Sequence, residues 1–454
     1  MKTTRRDFLK TTAVLAAGAA IIPPVFSINK GVKPKVVIIG AGFAGLSAAY
    51  RLKQKGCEVT VLESRGRVGG RVFSHPIDTD ENLVIELGAE WVGASHERMI
   101  TMCKEFGLEL QNNQFESHLT YAGEYFPKGK WDYSSDWKAK FNKLINDYAN
   151  FREEDKKRLD KIDWWRYLVN NGITERDLEI RDLLDSTDFG ECIRHVSAYA
   201  AIAEYAESSE KNEMDFKIKG GNSMFSKALA ERIGADNIKL KHKVTEINQA
   251  DGKVDVKCDN GTVFSGDNLI CTIPTYSMMN ISWKPGLPEE KINAINELQY
   301  ARISKHAVLF SERFWKDEDF DMVTDIYGHY FYHATKNQPG VKGALISYTI
   351  GDKADVIARQ NDDFKADVIN NSLRPAFGDV KNKILTQLNY YWGKDEFTKG
   401  GYALYGTGQW FTVMPVLKKK FMSTYFAGEH IADWQGFMEG AIVTGEEAAD
   451  EIAG

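Results

Sequence analysis

Cysteine is scarce and scattered in this sequence. The five residues, Cys57, Cys103, Cys192, Cys258 and Cys271, form no C-x-x-C pair and no zinc-ligand spacing, so no metal site is expected. Their odd number also argues against a disulfide framework. Basic charge is short as well. The net charge is -6, and setting aside residues 1–30, with five Lys or Arg against one Asp, leaves -10. A nucleic-acid partner is thereby excluded, because phosphate binding needs a basic surface. The one compact basic run beyond the N-terminus, Lys418 to Lys420, reads as solvated surface. No apolar run reaches the roughly 20 residues that span a bilayer, and there is no internal repeat and no low-complexity linker. What remains is a globular chain of 454 residues, 43% hydrophobic and 27% charged, long enough for two or three cores and rich in aromatics.

Lys35 to Ile39 is a short apolar run of the kind buried on both faces of a parallel sheet. It leads into Gly40-Ala41-Gly42-Phe43-Ala44-Gly45 and then a stretch of good helix formers, Leu46 to Leu52. Strand, tight turn and helix in this order form a dinucleotide fingerprint. Gly40 makes the turn, Gly42 lets backbone N–H groups approach a pyrophosphate, and Gly45 lets the helix pack on the strand. A second strand, Glu58 to Leu62, ends at Glu63, 18 residues past Gly45, where an acid accepts hydrogen bonds from the adenosine ribose.

At the N-terminus, Thr4-Arg5-Arg6-Asp7-Phe8-Leu9-Lys10 precedes an apolar run from Ala13 to Phe26. A basic segment followed by a short apolar core is a signal peptide, and the paired arginines resemble a twin-arginine export signal. That route carries folded proteins, so a cofactor can be loaded before export. Residues 1–30 are assigned to this signal and the location expected is periplasmic or exported. No sharp Ala-x-Ala site precedes Ser27, and a retained membrane anchor is the alternative.

Past Glu63 the chain reads Ser64-Arg65-Gly66-Arg67-Val68-Gly69-Gly70-Arg71. This stretch resembles the flavin amine oxidase family, which includes monoamine, polyamine and L-amino-acid oxidases. Further blocks extend the resemblance over most of residues 35–453. Glu86-Leu87-Gly88-Ala89-Glu90-Trp91-Val92-Gly93 resembles the segment under the flavin ring, and Val244 stands where the family backbone holds adenine. Tyr425-Phe426-Ala427-Gly428-Glu429-His430 and Trp434-Gln435-Gly436-Phe437-Met438-Glu439-Gly440 resemble the C-terminal flavin block. There the resemblance puts Glu429 at the ribityl chain and Gly436 to Met438 near the pyrimidine. It implies an α/β fold, a Rossmann-type FAD-binding domain built from residues 34–108, 217–293 and 395–454. Residues 109–216, helix-like and rich in charge and Trp, and 294–394 would form an inserted α+β substrate domain.

Amine oxidation by flavin moves a hydride from the carbon bearing nitrogen to flavin N5. The protein must take the amine neutral, and an apolar aromatic cage lowers an ammonium pKa by desolvation. Tyr402, after Trp392 and Gly400-Gly401, matches one family cage wall, and Phe437 stands where many members carry Tyr. Lys305 lies in the apolar strand Ile303 to Phe310, after a helix expected over Asn293–Leu298, where a charge needs a reason. By resemblance it holds a water at N5. His306 would point to the opposite face.

Two departures narrow the reading. Members with covalent flavin carry Cys where this chain has Gly401, so the FAD is expected to be noncovalent. Members acting on α-amino acids use an Arg near the Gly88 segment, where this chain has Glu90-Trp91, so an amine without a carboxylate is favoured. The expected partners are that amine, oxygen or a periplasmic electron carrier, the twin-arginine translocase and, in assembly, a second copy of the chain. The alternatives are an L-amino-acid oxidase, were Arg166 or Arg194 to reach the pocket, a flavin-dependent desaturase or isomerase, and a noncatalytic flavoprotein.

Overall fold

A computed structural model describes residues 33–454; the expected signal peptide lies outside them. A five-stranded parallel sheet runs in the order Thr424–Phe426, Asn268–Cys271, Lys35–Ile39, Glu58–Glu63, Ile238–Leu240. Its central strand is buried on both sides because side chains alternate. Val36 and Ile38 pack beneath the helices Phe43–Gln54, Ser223–Ile233 and Met438–Ala453. Val37 and Ile39 face a four-stranded sheet of Val263–Gly266, Lys253–Cys258, Val244–Ala250 and Ser282–Lys284. The strand, turn and helix expected around Gly40 to Gly45 are present.

A seven-stranded sheet is ordered Ile384–Tyr391, Ile303–Phe310, Gly343–Ile350, Tyr330–His333, Phe320–Thr324, Glu116–Tyr121, Glu124–Phe126. Every pairing is antiparallel except that of Phe320–Thr324 with Glu116–Tyr121. On Ile303–Phe310, alternation sends Ile303, Ala307 and Leu309 to one core, and Val308 and Phe310 to another. Lys305 shares the first face. His306 takes the second, where it meets Gln387 Oε1 at 3.1 Å, as its position in the strand requires.

Residues 109–216 are less uniform than their composition predicts. Helices fill 135–207, but the segment opens with strands Leu110–Asn112, Glu116–Tyr121 and Glu124–Phe126. In Glu116–Tyr121 three successive residues, His118, Leu119 and Thr120, are buried, which erases the polar alternation that marks a strand. The charged Trp-rich stretch is a helix start: Asp163 accepts from the Arg166 N–H at 2.7 Å, and Trp164 is fully buried. The helix expected over Asn293–Leu298 begins earlier and spans Glu289–Glu297, with Pro288 at its cap and two acids in its first turn.

Candidate active site

Two glycine turns meet at the C-terminal end of the parallel sheet. The Gly69 N–H donates to the Ala41 carbonyl at 2.8 Å, which brings Gly70 against Gly42. A Cβ on Gly42 would have only the Gly70 Cα nearby, at 4.0 Å, so the space above this turn is open for a ligand. A Cβ on Gly45 would sit 1.9 Å from the Gly40 carbonyl oxygen. Gly45 therefore serves close packing and lies off the cavity that starts here.

The other expected site residues all line that cavity. At the turn end are Gly40, Gly42, Phe43, Ala44, Glu63, Ser64, Arg65, Gly70, Arg71 and Val244. Gly88, Ala89, Glu90, Trp91 and Trp392 follow, with Lys305, Tyr402, Gly428, Glu429, Gly436, Phe437 and Met438. The helix Phe43–Gln54 begins at the turn end, and the helix Met438–Ala453 begins next to Phe437. Two sets of backbone N–H donors thus open on the cavity.

Glu63 is buried at the turn end and accepts from the N–H groups of Ala41 at 2.8 Å and Arg65 at 2.7 Å. Burial raises its pKa against the pull of these two donors. Arg71 donates to Glu429 at 2.6 Å and to the Gly401 carbonyl at 3.0 Å, joining the two glycine-rich blocks. Glu429 also accepts from the N–H groups of Gly436 at 2.8 Å and Ala403 at 3.2 Å. An elongated cleft with open glycine backbone, a carboxylate beside the first turn and two helix starts fits a flavin dinucleotide.

The other end is aromatic. The Tyr402 hydroxyl donates to the Asp188 carbonyl at 3.1 Å and lies 3.3 Å from the Tyr348 hydroxyl. Gly436, at φ +85°, packs under the Tyr402 ring. Phe437 takes the edge of His96 at a centroid distance of 5.1 Å. Lys305 is 3% exposed, which excludes a solvent-facing lysine. Its Nζ donates to the carbonyls of Gly88 at 2.8 Å and Glu86 at 3.2 Å, and to Glu90 Oε2 at 3.2 Å. Burial lowers its pKa, while Glu90 opposes that shift.

Sequence reading missed the partners that hold this lysine. Glu90 also accepts from Tyr332 Oη at 2.5 Å and Lys217 Nζ at 3.4 Å, so two buried ammonium groups share one carboxylate. Glu86, buried close by, accepts from the Asn222 N–H and from Ser74, and burial together with Glu90 pushes its pKa up to about 7. The one available signal was Lys217 between Phe216 and Ile218, a charge inside a short strand. The two arginines of the amino-acid oxidase alternative lie elsewhere: Arg166 and Arg194 both stack on Trp165, and neither lines the cavity.

Residues 43–453 match the family model described as flavin containing amine oxidoreductase, and residues 2–21 match that of the twin-arginine translocation pathway signal sequence, which marks the chain for export by that route. Flavin-containing amine oxidase A of Canis lupus familiaris is 27% identical over 92% of this chain and 84% of its own length. Flavin-containing amine oxidase B of Mus musculus is 26% identical over 92% and 86%. Among solved structures, wild-type putrescine oxidase bound to putrescine superposes with a TM-score of 0.82 at 23% identity, covering 93% of this chain and 99% of that one. Cyclohexylamine oxidase from Brevibacterium oxydans IH-35A superposes with a TM-score of 0.82 at 21% identity over the same shares. With the α/β architecture, the two glycine turns and the aromatic end in one cavity, the chain belongs to the flavin-containing amine oxidoreductase family.

Proposed function

We propose that this protein holds FAD noncovalently and oxidises an amine to an imine, which hydrolyses to an aldehyde or ketone plus ammonia or amine. The observation that carries this reading is a single cavity joining the dinucleotide turn to an aromatic end with a buried lysine at its wall. Bound FAD supplies the hydride acceptor, N5, and is restored by oxygen or a periplasmic electron carrier.

The chain's own residues divide the remaining work. Gly42 and Gly70 admit the pyrophosphate, Glu63 holds the adenosine ribose, backbone at Val244 holds adenine, and Glu429 meets the ribityl chain. Tyr402 and Phe437 wall the amine and favour its neutral form by keeping water away. Lys305 gives its ammonium hydrogens to Glu90 and two carbonyls, and it would orient a water toward the reacting face by exchanging one of these contacts for it. The cofactor domain would comprise 34–108, 217–293 and 395–454, with 109–216 and 294–394 as the substrate domain.

Noncovalent binding is supported by Gly401, whose added Cβ would sit 2.7 Å from Ile303 Cγ1, leaving no room for an attaching cysteine. The amino-acid oxidase reading loses support because Arg166 and Arg194 are off the cavity, and a desaturase or isomerase gives Lys305 no task. Anaerobic mixing of the yellow holoenzyme with a panel of primary, secondary and cyclic amines tests the proposal. Bleaching of the flavin by at least one amine is expected. Bleaching by amino acids alone, or by none of these compounds, overturns it. The periplasmic site of action is tested separately: changing Arg5 and Arg6 to Lys should strand the precursor in the cytoplasm, and unaltered periplasmic activity would refute the route.

A further inference from the structure

Flavin reduction by an amine leaves one proton to be placed. A substrate arriving as an alkylammonium must shed a proton from nitrogen before hydride leaves the adjacent carbon, and hydride added to the neutral flavin ring makes the ring an anion. A protonated amine and oxidised flavin therefore give a protonated imine, an anionic reduced flavin and one proton. Reoxidation by oxygen to hydrogen peroxide calls for that proton again.

Glu86 stands beside the buried ammonium cluster in a setting that suits either protonation state. Its peptide carbonyl receives Lys305 Nζ at 3.2 Å, and the residue is 1% exposed. The Asn222 N–H donates to Oε1 at 2.7 Å, and Ser74 Oγ lies 2.8 Å from Oε1 and 2.9 Å from Oε2. A hydroxyl both donates and accepts, so Ser74 can give its hydrogen to the carboxylate or take one from the carboxyl without either group moving. Ser74 belongs to the partly exposed strand Ser74–Asp78, which places this exchange close to solvent. Glu90 has no such latitude: two of its three donors, Lys305 and Lys217, are ammonium groups, which accept nothing.

Facing Glu86 are Glu90 on its own segment, Lys217 from the strand Phe216–Ile218 and Lys305 from Ile303–Phe310. Burial and then Glu90 push its pKa up to about 7, against the pull of Asn222, Lys217 and Ser74. Two ammonium groups against Glu90 leave the cluster one positive charge in excess when Glu86 is neutral, and balanced when it is ionised. Gly88, just past Glu86, lines the cavity that would hold the flavin. A negative charge arriving there favours the cluster with the excess positive charge, and by linkage flavin reduction raises the affinity of Glu86 for a proton.

We propose that Glu86 is a redox-linked proton acceptor, which takes up one proton when the bound flavin is reduced and returns it when the flavin is reoxidised. The inference rests on the FAD-dependent amine oxidation proposed above and adds the fate of its proton. In the reductive half, the substrate ammonium loses one proton to the Glu86 carboxylate and one hydride to the flavin, so no proton is released to solvent. In the oxidative half, the hydride and the Glu86 proton leave with oxygen as hydrogen peroxide, and the carboxylate is restored. Because Glu86 ionises near pH 7 before reduction, the uptake belongs to a window that opens there and extends to higher pH. Below that window Glu86 is protonated in both redox states, and above it in neither.

The test is an equilibrium titration of the holoenzyme flavin with dithionite, repeated at pH values on both sides of about 7 and above. In the wild type two protons should accompany the two electrons inside the window, against one without Glu86, which doubles the pH slope of the midpoint potential. Glu86→Gln, which keeps an oxygen for the Asn222 N–H, should show half the wild-type slope there. Lys217→Met should move the window to higher pH, because Lys217 favours the ionised carboxylate. If the Gln variant loses its FAD, the wild-type slope and the Lys217→Met shift decide. Anaerobic mixing with an amine hydrochloride in weak buffer, followed with an indicator dye, gives a second reading: no proton released by the wild type inside the window, and a full proton per flavin by Glu86→Gln. A single-proton slope in the wild type at every pH, or a window unmoved by Lys217→Met, overturns the assignment. So does a window that survives Glu86→Gln, which would put the proton on another group such as Asp188, whose carboxyl is also pushed up to about 7 by burial and Asp185. Dithionite is not an amine, so the slope decides the proton linkage even where no amine bleaches the flavin, a result that would overturn the proposed function alone.

Discussion

At the turn end of the cavity, Gly40, Gly42 and Glu63 come from one stretch of chain, and the contacts that shape it run through backbone, such as the Ala41 N–H on Glu63. The aromatic end is assembled from side chains far apart in sequence. Lys305 and Glu90 are 215 residues apart, Tyr332 and Glu90 are 242, and Tyr402 and Asp188 are 214. The first end recognises a cofactor common to a whole family and can be built from local turn geometry. The second is the end proposed to take the substrate, and its buried charges find partners in three separate segments.

Substitutions at each end can break this contrast. Gly88 joins the two, since an added Cβ would lie 2.0 Å from the Arg71 carbonyl oxygen while its own carbonyl holds Lys305. Gly88→Ala should therefore give the largest effect, loss of essentially all bound flavin, read as the absorbance ratio of the purified protein; full flavin content would mean the two segments separate freely. Lys305→Met should keep its FAD and slow one redox half-reaction by about 10²- to 10³-fold, the usual cost of removing an electrostatic stabiliser. Rapid mixing with amine, and then of reduced enzyme with oxygen, locates the slow half; normal rates in both would leave Lys305 a purely structural ion. Glu63→Ala should act on the turn end alone, weakening FAD binding by about 1.5 to 3 kcal/mol, and an unchanged flavin dissociation constant would contradict its ribose role. The smallest effect is expected from Gly401→Cys. Blocked by Ile303, it should attach no flavin, and acid should release the cofactor from variant and wild type alike; flavin retained on precipitated polypeptide would overturn the packing argument.

The same contrast explains what could be read from the chain. The turn residues, the strand before them and the acid at Glu63 are legible because backbone recognition imposes fixed local spacing. The C-terminal block from Gly428 to Met438 is legible for the same reason. Lys305 was visible as a charge in an apolar strand, yet nothing nearby announces Glu90 as its counterion, because that contact forms only when the seven-stranded sheet packs on the Gly88 segment. The strand Glu116–Tyr121 was hidden because an inner strand with three successive buried residues keeps no polar stripe, and the early start of the Glu289–Glu297 helix lay behind Pro288, which serves as its cap.

The edge strand of the parallel sheet, Thr424–Phe426, pairs with Asn268–Cys271, and the final helix, Met438–Ala453, packs on the helix Phe43–Gln54 at the opposite end of the sequence. A chain still being synthesised thus has the first glycine turn but neither the strand nor the helix that closes the cavity over it. Cofactor capture must therefore wait until residues 424–453 have emerged. For a protein bearing a twin-arginine signal, that timing has a cellular meaning. The export tag is made well before the segments that complete the flavin cavity, and the interval between them is when a machine that accepts folded cargo must hold back.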